Sequence, residues 1–341
     1  MLNIKGLKTH FFTRRGVVPA VDGIDLEIRR GQIVGIVGES GCGKSITALS
    51  IMRLIEAPGK IMEGEIKLNG VNILHKTKKE MFDIRGDKIS MIFQEPMTSL
   101  NPVITVGKQV KEVIVLHKKA GDAKAREMVL EIFRQVGIAE PENRYNSYPH
   151  QLSGGLRQRV MIGMAMVCAP DLMIADEPTT ALDVTIEAQI LRLMGEMRQR
   201  QGAAIMMITH NLGIVAELCD YVYVMYAGRI MEQADIFDIF ADPLHPYTYG
   251  LLNSIPRLGA VEGGDENGRL YAIRGMVPNL LALPKGCRFC PRCDRAMKIC
   301  SMREPELYDA GEGRKVRCFL HDKQLMDNTN AAVAVGAAGN V

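Results

Sequence analysis

The chain alternates between short apolar runs and stretches in which apolar residues recur at helical spacing. Apolar runs at residues 21–28 and 33–37 predict strands near the N-terminus. Residues 105–147 have helical spacing with many Lys and Glu residues. Further apolar runs predict buried strands at residues 171–175 and 203–208. Helices that alternate with buried strands favour an α/β fold around a parallel sheet.

Composition narrows the class of protein. The longest apolar run, residues 160–169, is too short to cross a bilayer and predicts a buried helix. The N-terminus has no apolar stretch typical of a secretion signal. With 341 residues and 47% hydrophobic residues, the chain has room for one large domain and a smaller one. Its net charge of +3 is too weak to indicate nucleic-acid binding or a membrane surface. We therefore expect a protein that is soluble by itself and cytoplasmic.

A glycine-rich segment of the pattern G-x-x-x-x-G-K-S follows the strand predicted at residues 33–37 and opens a helical stretch at residues 46–54. Its glycines let successive backbone N–H groups turn toward a phosphate chain. Lys44 adds a positive charge for the β and γ phosphates, and the Ser45 hydroxyl can bind Mg²⁺. The sequence therefore predicts an ATP-binding loop, made of Gly38, Glu39, Ser40, Gly41, Cys42, Gly43, Lys44 and Ser45.

Two acidic residues follow the strand predicted at residues 171–175. A buried strand would hold Asp176 rigidly beside the phosphates, where a carboxylate can bind Mg²⁺. Glu177 could polarise the attacking water or accept its proton. An acidic pair at a strand exit is common, but the upstream phosphate loop favours this catalytic interpretation.

A second anion-binding device lies at Leu152-Ser153-Gly154-Gly155. Ser153 is placed as an N-cap, and the two glycines leave backbone N–H groups open at a helix start. One nucleotide does not need two such devices in one subunit. Here the chain resembles the ATP-binding cassette (ABC) ATPases, whose signature motif is LSGGQ. In that family the signature of one subunit covers the γ-phosphate held by the loop of the other.

Other segments match the family's motifs in order: Gln94 the Q-loop, Ala181-Leu182-Asp183 the D-loop, and His210 the switch histidine. One departure is Leu156, where the signature has Gln and where peptide importers tolerate an apolar residue. For stacking on adenine, the candidates are Phe12 and Phe11, with packing in the sheet as an equal alternative. The resemblance implies catalytic roles for Glu177, His210 and Gln94, Mg²⁺ ligation by Ser45, Gln94 and Asp176, and action in trans by Leu152, Ser153, Gly154, Gly155 and Asp183.

Several segments resemble dipeptide/oligopeptide importers in particular, among them Tyr148-Pro149-His150-Gln151, His245-Pro246-Tyr247-Thr248 and Ser254-Ile255-Pro256. The implied fold is an α/β P-loop NTPase of ABC type, a RecA-like core with an antiparallel β subdomain and a helical subdomain, plus a small C-terminal metal-binding extension. We expect the nucleotide-binding domain at residues 1–242, with the helical subdomain at about 95–155. The extension would occupy residues 243–326, with a loose linker at residues 259–268, and a disordered tail would follow at residues 327–341.

Five of the eight cysteines lie close together in the C-terminal segment. In a chain without a secretion signal, such a cluster favours metal binding over disulfide formation. Spacing alone, Cys287-x₂-Cys290-x₂-Cys293, is typical of a ferredoxin run. The subfamily pattern falls instead on Cys287, Cys293, Cys300 and Cys318, which leaves Cys290 as a spare. Four thiolates fit a [4Fe–4S] cluster or Zn²⁺. Because some dipeptide-importer ATPases carry a [4Fe–4S] cluster, we favour it over zinc or bare thiols.

The resemblance implies an ATP-hydrolysing subunit that couples ATP binding and hydrolysis to uptake of dipeptides or oligopeptides across the cytoplasmic membrane. Two such subunits would close head to tail around two ATP molecules. The expected partner is a paralogous ATPase subunit, with a homodimer as the alternative in isolation. Two transmembrane permease subunits would hold the protein at the cytoplasmic face of the inner (plasma) membrane, and an extracytoplasmic solute-binding protein would act indirectly.

The alternative interpretations concern either the transported solute or the class of protein. A nickel chelate, an opine or an oligosaccharide is the alternative cargo. The rival class is a soluble ABC ATPase that acts on nucleic acid. Such proteins carry a coiled coil or a zinc-bearing insertion between the phosphate loop and the signature, and no sustained heptad pattern lies in that interval here. A third class is a regulatory module that binds ATP and senses redox state without transport.

Overall fold

The computed structural model describes residues 1–94, 99–179, 182–254, 272–323 and 325. The linker predicted at residues 259–268 and the tail predicted at residues 327–341 lie outside the described residues. So do Ala181, Ile255 and Pro256 of the quoted motifs.

Twelve strands form two sheets within the described part of the chain. In chain order they are β1 Leu2–Thr13, β2 Gly16–Ile28, β3 Ile33–Val37, β4 Gly59–Leu68, β5 Val71–Asn72, β6 Ile89–Ile92, β7 Leu172–Asp176, β8 Ala204–Ile208, β9 Tyr221–Tyr226, β10 Arg229–Asp235, β11 Tyr308–Gly311 and β12 Arg314–Val316.

The described helices lie in the connections between these strands. They are α1 Lys44–Met52, α2 Lys78–Ile84, α3 Val106–Lys118, α4 Asp122–Gln135, α5 Pro141–Arg144, α6 Gly154–Met166, α7 Val184–Gln201, α8 Leu212–Leu218, α9 Ile236–Ala241, α10 Pro246–Asn253 and α11 Lys298–Met302. Short 3₁₀ turns occur at Ile73–His75, Pro149–Gln151, Cys290–Arg292 and Phe319–His321.

The smaller sheet is antiparallel, with the order β2-β1-β4-β5. A two-residue turn at Asn69-Gly70 joins β4 to β5, with Leu68 opposite Val71. Both turn residues have positive φ, 48° and 84°, as a type I′ turn requires. The hairpin turn predicted from Asn69-Gly70 is therefore confirmed.

The larger sheet has the order β11-β12-β10-β9-β3-β8-β7-β6. Its strands β9, β3, β8, β7 and β6 are parallel, and β10, β12 and β11 add antiparallel pairs at one edge. Every residue of β3, β7 and β8 is buried. Such strands have helices or another sheet on both faces, which explains their continuous apolar runs.

Alternate residues of these strands face two different cores. Ile33 and Val37 pack with α3, α4 and α6, the helical layer, whereas Val34 and Ile36 pack with the antiparallel sheet and α1. The helices predicted within residues 105–147 are confirmed as α3, α4 and α5. Of the run predicted as a buried helix at residues 160–169, residues 160–166 form the largely buried second half of α6, which ends at Met166.

The C-terminal segment joins the nucleotide-binding core directly. Strand β12 pairs with β10, so that Val316 lies opposite Glu232 in the larger sheet. Phe289 packs against Tyr226 and Tyr247, with ring centroids 5.3 Å away in both cases. Cys287, Cys300 and Phe319 belong to the same core as the helical layer. The segment therefore shares its apolar packing with the rest of the fold.

Candidate functional site

The phosphate loop lies between the C-terminal end of β3 and the N-terminal end of α1, where the sequence places it. Glycine is required at two of its positions. A Cβ on Gly38 would lie 2.1 Å from the Met225 carbonyl oxygen, and a Cβ on Gly43 would lie 2.3 Å from that of Ala20. Both residues also have positive φ, 148° and 107°. The strands around the loop therefore fix its course closely.

Lys44 is buried at the start of α1, and its ammonium group points back into the loop. Its Nζ atom donates to the carbonyl oxygens of Gly38, at 2.7 Å, and of Glu39, at 3.1 Å. A lysine ammonium held against a glycine-rich turn at a helix start is the arrangement that binds a phosphate chain.

Asp176 ends β7 next to the loop and forms a side-chain hydrogen bond with Ser45. Burial raises the pKa of its carboxyl, and the neighbouring Glu177 acts in the same direction. Its Oδ1 atom is buried and has no hydrogen-bond partner among the described residues. A hard cation would satisfy this oxygen, so the pair of Ser45 hydroxyl and Asp176 carboxylate fits Mg²⁺.

Glu177 brings together the side chains that the sequence predicts as catalytic. Gln94 Nε2 donates to Glu177 Oε2 at 2.8 Å, and His210 Nδ1 lies 3.1 Å from Glu177 Oε1. The Glu177 backbone has a φ of 47°, an uncommon value outside glycine, and its N–H donates to the Ile208 carbonyl. The backbone thus turns the carboxylate sharply away from β7, toward the ends of β6 and β8.

Comparisons with known proteins agree with this geometry. Residues 21–180 match the family described as "ABC transporter", and residues 231–300 match "Oligopeptide/dipeptide transporter, C-terminal region". The chain is 50% identical over 325 residues to "Oligopeptide transport ATP-binding protein AppD" of Bacillus subtilis, covering 95% of this chain and 98% of that protein. It is 49% identical to "Oligopeptide transport ATP-binding protein OppD" of Escherichia coli, covering 96% and 95%.

The chain belongs to the ABC transporter family. Solved structures support the same assignment of the fold. The cassette MJ0796, solved as a dimer bound to ADP and Pi, is 26% identical with a TM-score of 0.64, covering 69% of this chain and 99% of that one. CbiO1 from Clostridium perfringens is 29% identical with a TM-score of 0.60, covering 71% and 90%. The predicted P-loop fold of ABC type is therefore confirmed, and the chain is an ATP-hydrolysing subunit of this family.

The signature segment of this ABC ATPase is on the surface. Ser153 and Gly154 are exposed, and a Cβ on Gly154 would meet nothing within 4 Å. Ser153 is the N-cap of α6, as predicted, and its hydroxyl accepts a hydrogen bond from the Leu156 N–H at 3.3 Å. Leu152 is buried beneath it. Asp183 likewise caps α7 through a hydrogen bond from the Ile186 N–H. Both helix starts are therefore capped and open to solvent.

The adenine-stacking residue stays a prediction. Phe12 lies on β1 with its ring 43% exposed, and the Lys60 ammonium lies 5.8 Å from the ring centroid. Phe11 is half-buried against Gly59 on β4. The exposed ring of Phe12 is the better of the two candidates for stacking on a ligand.

In the part of the chain that the structure describes, no helix is both long enough and apolar enough to cross a membrane.

Five cysteines of the ABC ATPase line one cavity with a volume of about 10 Å³: Cys287, Cys290, Cys293, Cys300 and Cys318. Burial raises the pKa of Cys287 to about 12 and that of Cys318 to about 11. Cys290 is the least enclosed of those with a raised pKa, and burial is the main cause for it as well.

Cysteine side chains are the donor type that holds an iron–sulfur cluster or a structural Zn²⁺. His245 also lines the cavity, but its Nδ1 atom accepts from the Tyr247 N–H, and burial lowers its pKa to about 3. Among the described residues, no three His, Cys, Asp or Glu side chains are placed to hold a single ion. As the side chains lie in the described residues, the cysteines therefore do not form the predicted metal site.

The contacts of the two arginines next to the cysteines were not predicted from the sequence. Arg288 donates to the Ala227 carbonyl and to Asp22 on β2, and Arg292 reaches Glu39 in the phosphate loop. The only local signal was their position, one residue after Cys287 and one before Cys293.

Proposed function

We propose that this ABC ATPase powers the import of dipeptides or oligopeptides across the cytoplasmic membrane. The observation that carries the proposal is the group formed by Glu177 with Gln94 and His210, next to Asp176 and Ser45. The peptide cargo is supported by the names of the relatives from Bacillus subtilis and Escherichia coli. It is also supported by the match of residues 231–300 to the oligopeptide/dipeptide transporter C-terminal region.

In this proposal the loop residues and Lys44 bind the β and γ phosphates of ATP. Ser45, Asp176 and Gln94 would hold Mg²⁺, which would neutralise charge on the phosphates. Glu177 orients the attacking water and accepts its proton, and His210 contacts the γ-phosphate. Phe12 stacks on the adenine. Positioning and charge neutralisation supply most of the rate in phosphoryl transfer, so the fixed backbone around Glu177 matters as much as its carboxylate.

The second subunit completes the site in this proposal. Ser153, Gly154 and Gly155 would cover the γ-phosphate bound by the partner chain, with Leu152 beneath them and Asp183 at the shared face. The exposure of Ser153, Gly154 and Asp183 supports this role. The expected partner is a paralogous ATPase, with two permease subunits that hold both at the cytoplasmic face of the membrane. An extracytoplasmic solute-binding protein delivers the cargo.

The cysteine cavity would hold a [4Fe–4S] cluster through Cys287, Cys293, Cys300 and Cys318, with Zn²⁺ as the alternative. Anaerobically purified full-length protein should be brown and should contain iron and acid-labile sulfide. Cys318→Ser should lose the iron, whereas the matched variant Cys290→Ser should keep it. Absence of iron and sulfide from the wild-type protein would refute the iron–sulfur proposal. Analysis of the zinc content would then test the Zn²⁺ alternative.

Transport itself tests the main proposal. The chain would be co-expressed with its permease and paralogous subunits, purified as a complex and reconstituted into vesicles that enclose MgATP. We expect uptake of a labelled oligopeptide delivered by the binding protein, competed by unlabelled peptide, and lost with Glu177→Gln. If a nickel chelate, an opine or an oligosaccharide stimulates ATP hydrolysis and peptides do not, the peptide cargo is wrong. Failure to co-purify with any permease contradicts the transport role.

A further inference from the structure

An ion pair joins the cysteine-bearing segment to the phosphate loop. Arg292 Nη1 lies 2.5 Å from Glu39 Oε2, and Arg292 Nη2 lies 3.0 Å from Glu39 Oε1. Two parallel N–H···O bonds between a guanidinium and a carboxylate are the strongest geometry of this pair. The Arg292 side chain is 4% exposed and that of Glu39 is 28% exposed, so water screens the pair weakly.

The guanidinium of Arg292 is also held from other sides. Its Nε atom donates to the Arg274 carbonyl at 2.8 Å, and Nη1 lies 3.3 Å from the Tyr226 hydroxyl. The Tyr226 ring centroid lies 5.8 Å from the Arg292 Cζ atom. These contacts fix the orientation of the side chain before any ligand binds. Arg292 therefore presents a rigid, buried positive charge to the loop.

Glu39 is tied into the phosphate-binding apparatus by its backbone as well. Its carbonyl oxygen accepts from Lys44 Nζ at 3.1 Å, and its N–H donates to the Tyr247 hydroxyl at 2.9 Å. A carboxylate in a loop that binds a polyanion would repel the phosphates unless it is neutralised. Removing Arg292 would leave that charge partly buried and unpaired, which is costly.

We propose that Arg292 is a positioning residue for ATP binding, which neutralises Glu39 and fixes the backbone of the phosphate loop in its binding conformation. This proposal rests on the proposed role of the loop in binding ATP phosphates. Arg292 does not touch the reacting atoms. It acts through Glu39, so it should affect the affinity for MgATP more than the rate of hydrolysis.

The test compares variants of the full-length chain by calorimetric titration of MgATP and by steady-state hydrolysis. Arg292→Ala should raise the Kd for MgATP about 5- to 20-fold, with kcat changed less than about twofold. Arg292→Lys, which keeps the charge but loses the bidentate fork, should lie between wild type and Arg292→Ala. Adding Glu39→Gln to Arg292→Ala should bring the Kd back to within about twofold of wild type, because the unpaired charge is gone.

Controls separate this proposal from the function on which it rests. Arg303→Ala removes the same charge from an exposed position of the C-terminal segment and should leave the Kd unchanged. Lys44→Ala should abolish MgATP binding, and normal binding by that variant would mean that the loop's proposed role is wrong. If Lys44→Ala loses binding but Arg292→Ala binds like wild type, only the role of Arg292 is refuted.

The double variant distinguishes a local effect from a general loss of structure. If Arg292→Ala/Glu39→Gln binds MgATP as weakly as Arg292→Ala, the charge pairing is refuted, because a merely structural role would not be reversed at Glu39. Should Arg292→Ala fail to fold, Arg292→Lys carries the same comparison. Its Kd should rise about threefold and return on addition of Glu39→Gln, and no change in either step contradicts the proposal.

Discussion

Asp22 is a single residue that joins three parts of the molecule. Its carboxylate on β2 accepts from Arg229 Nη2 on β10, at 3.0 Å, and from Arg288 beside Cys287. Both arginines also face Glu304, at 3.3 and 3.4 Å. Burial acts to raise the pKa of Asp22, but Arg229 and Arg288 outweigh it and hold that pKa below its usual range. The carboxylate therefore stabilises the folded state only while it is charged.

This predicts a pH-dependent loss of stability in Asp22→Asn. Because the folded pKa is lower than the unfolded one, the contribution is complete above the unfolded value of about 3.9 and is lost as the pH falls through the folded one. At pH 7 the variant should melt about 2–4 °C below wild type, and the difference should shrink toward pH 3. Thermal melts followed by circular dichroism at several pH values measure this.

The matched control is Glu127→Gln, which removes an exposed carboxylate paired with Lys124 on α4. It should change the melting temperature little at any pH, since exposed pairs contribute little. A difference between Asp22→Asn and wild type that stays constant down to pH 3 would contradict the electrostatic account.

Residue-level contacts of this kind could not be predicted from the sequence. Arg292 and Glu39 are 253 positions apart, and Arg288 and Asp22 are 266 apart. No local pattern specifies which carboxylate a given arginine reaches. By contrast, Glu177 was predicted from its place after a buried apolar strand, and Gln94 and His210 were assigned from the order of the motifs that resemble the ABC family; the structure places the three side chains together.

At the scale of elements, the strand–loop–helix unit was predicted within a few residues. The strand predicted at residues 33–37 is β3, and the helix predicted at residues 46–54 is α1, which starts two residues earlier. The glycines and the apolar run encode this unit locally. The hairpin β11–β12 was not predicted, because its strands are three and four residues long and mostly exposed, and pairing with β10 decides their conformation.

Substitutions of Ser153 at the start of α6 can separate the effect of this residue on helix stability from its effect on phosphate contact. Aspartate is as good an N-cap as serine, so Ser153→Asp should melt within about 2 °C of wild type. A carboxylate there would repel the γ-phosphate of ATP on the partner subunit. We expect Ser153→Asp to bind MgATP through its own loop but to lose at least about tenfold in hydrolysis. Calorimetric titration and phosphate release measure the two quantities.

Ser153→Ala is the complementary variant for this helix start. It should lose about 1 kcal/mol of stability with the cap, without introducing a negative charge. Wild-type hydrolysis by Ser153→Asp in the assembled complex would show that the signature does not face a phosphate.

At the scale of the whole molecule, the larger sheet separates two cores, one with the helical layer and one with the antiparallel sheet and α1. The phosphate loop and the exposed signature belong to different parts of this arrangement.

Glu177→Gln should keep MgATP binding, lower hydrolysis at least about 100-fold, and trap a closed dimer. Size-exclusion chromatography with light scattering, with and without MgATP, would detect the doubled mass.

Lys44→Ala in the same background is the control, since without phosphate binding no dimer should form. The experiment applies to the isolated chain as a homodimer and to a mixture with the paralogous subunit as a heterodimer. Hydrolysis near the wild-type rate in Glu177→Gln would refute the role given to Glu177.

Strand β10 is synthesised well before β12, the strand that pairs with its edge. The ribosome delivers β10 roughly 80 residues before the strand that covers its edge, an interval of about 4–16 s at ordinary elongation rates. During that time the nascent chain presents an open edge of the main sheet, the kind of surface that recruits other strands. The hairpin of β11 and β12 therefore shields the edge of β10, and a chain that ended before this hairpin would lack that protection.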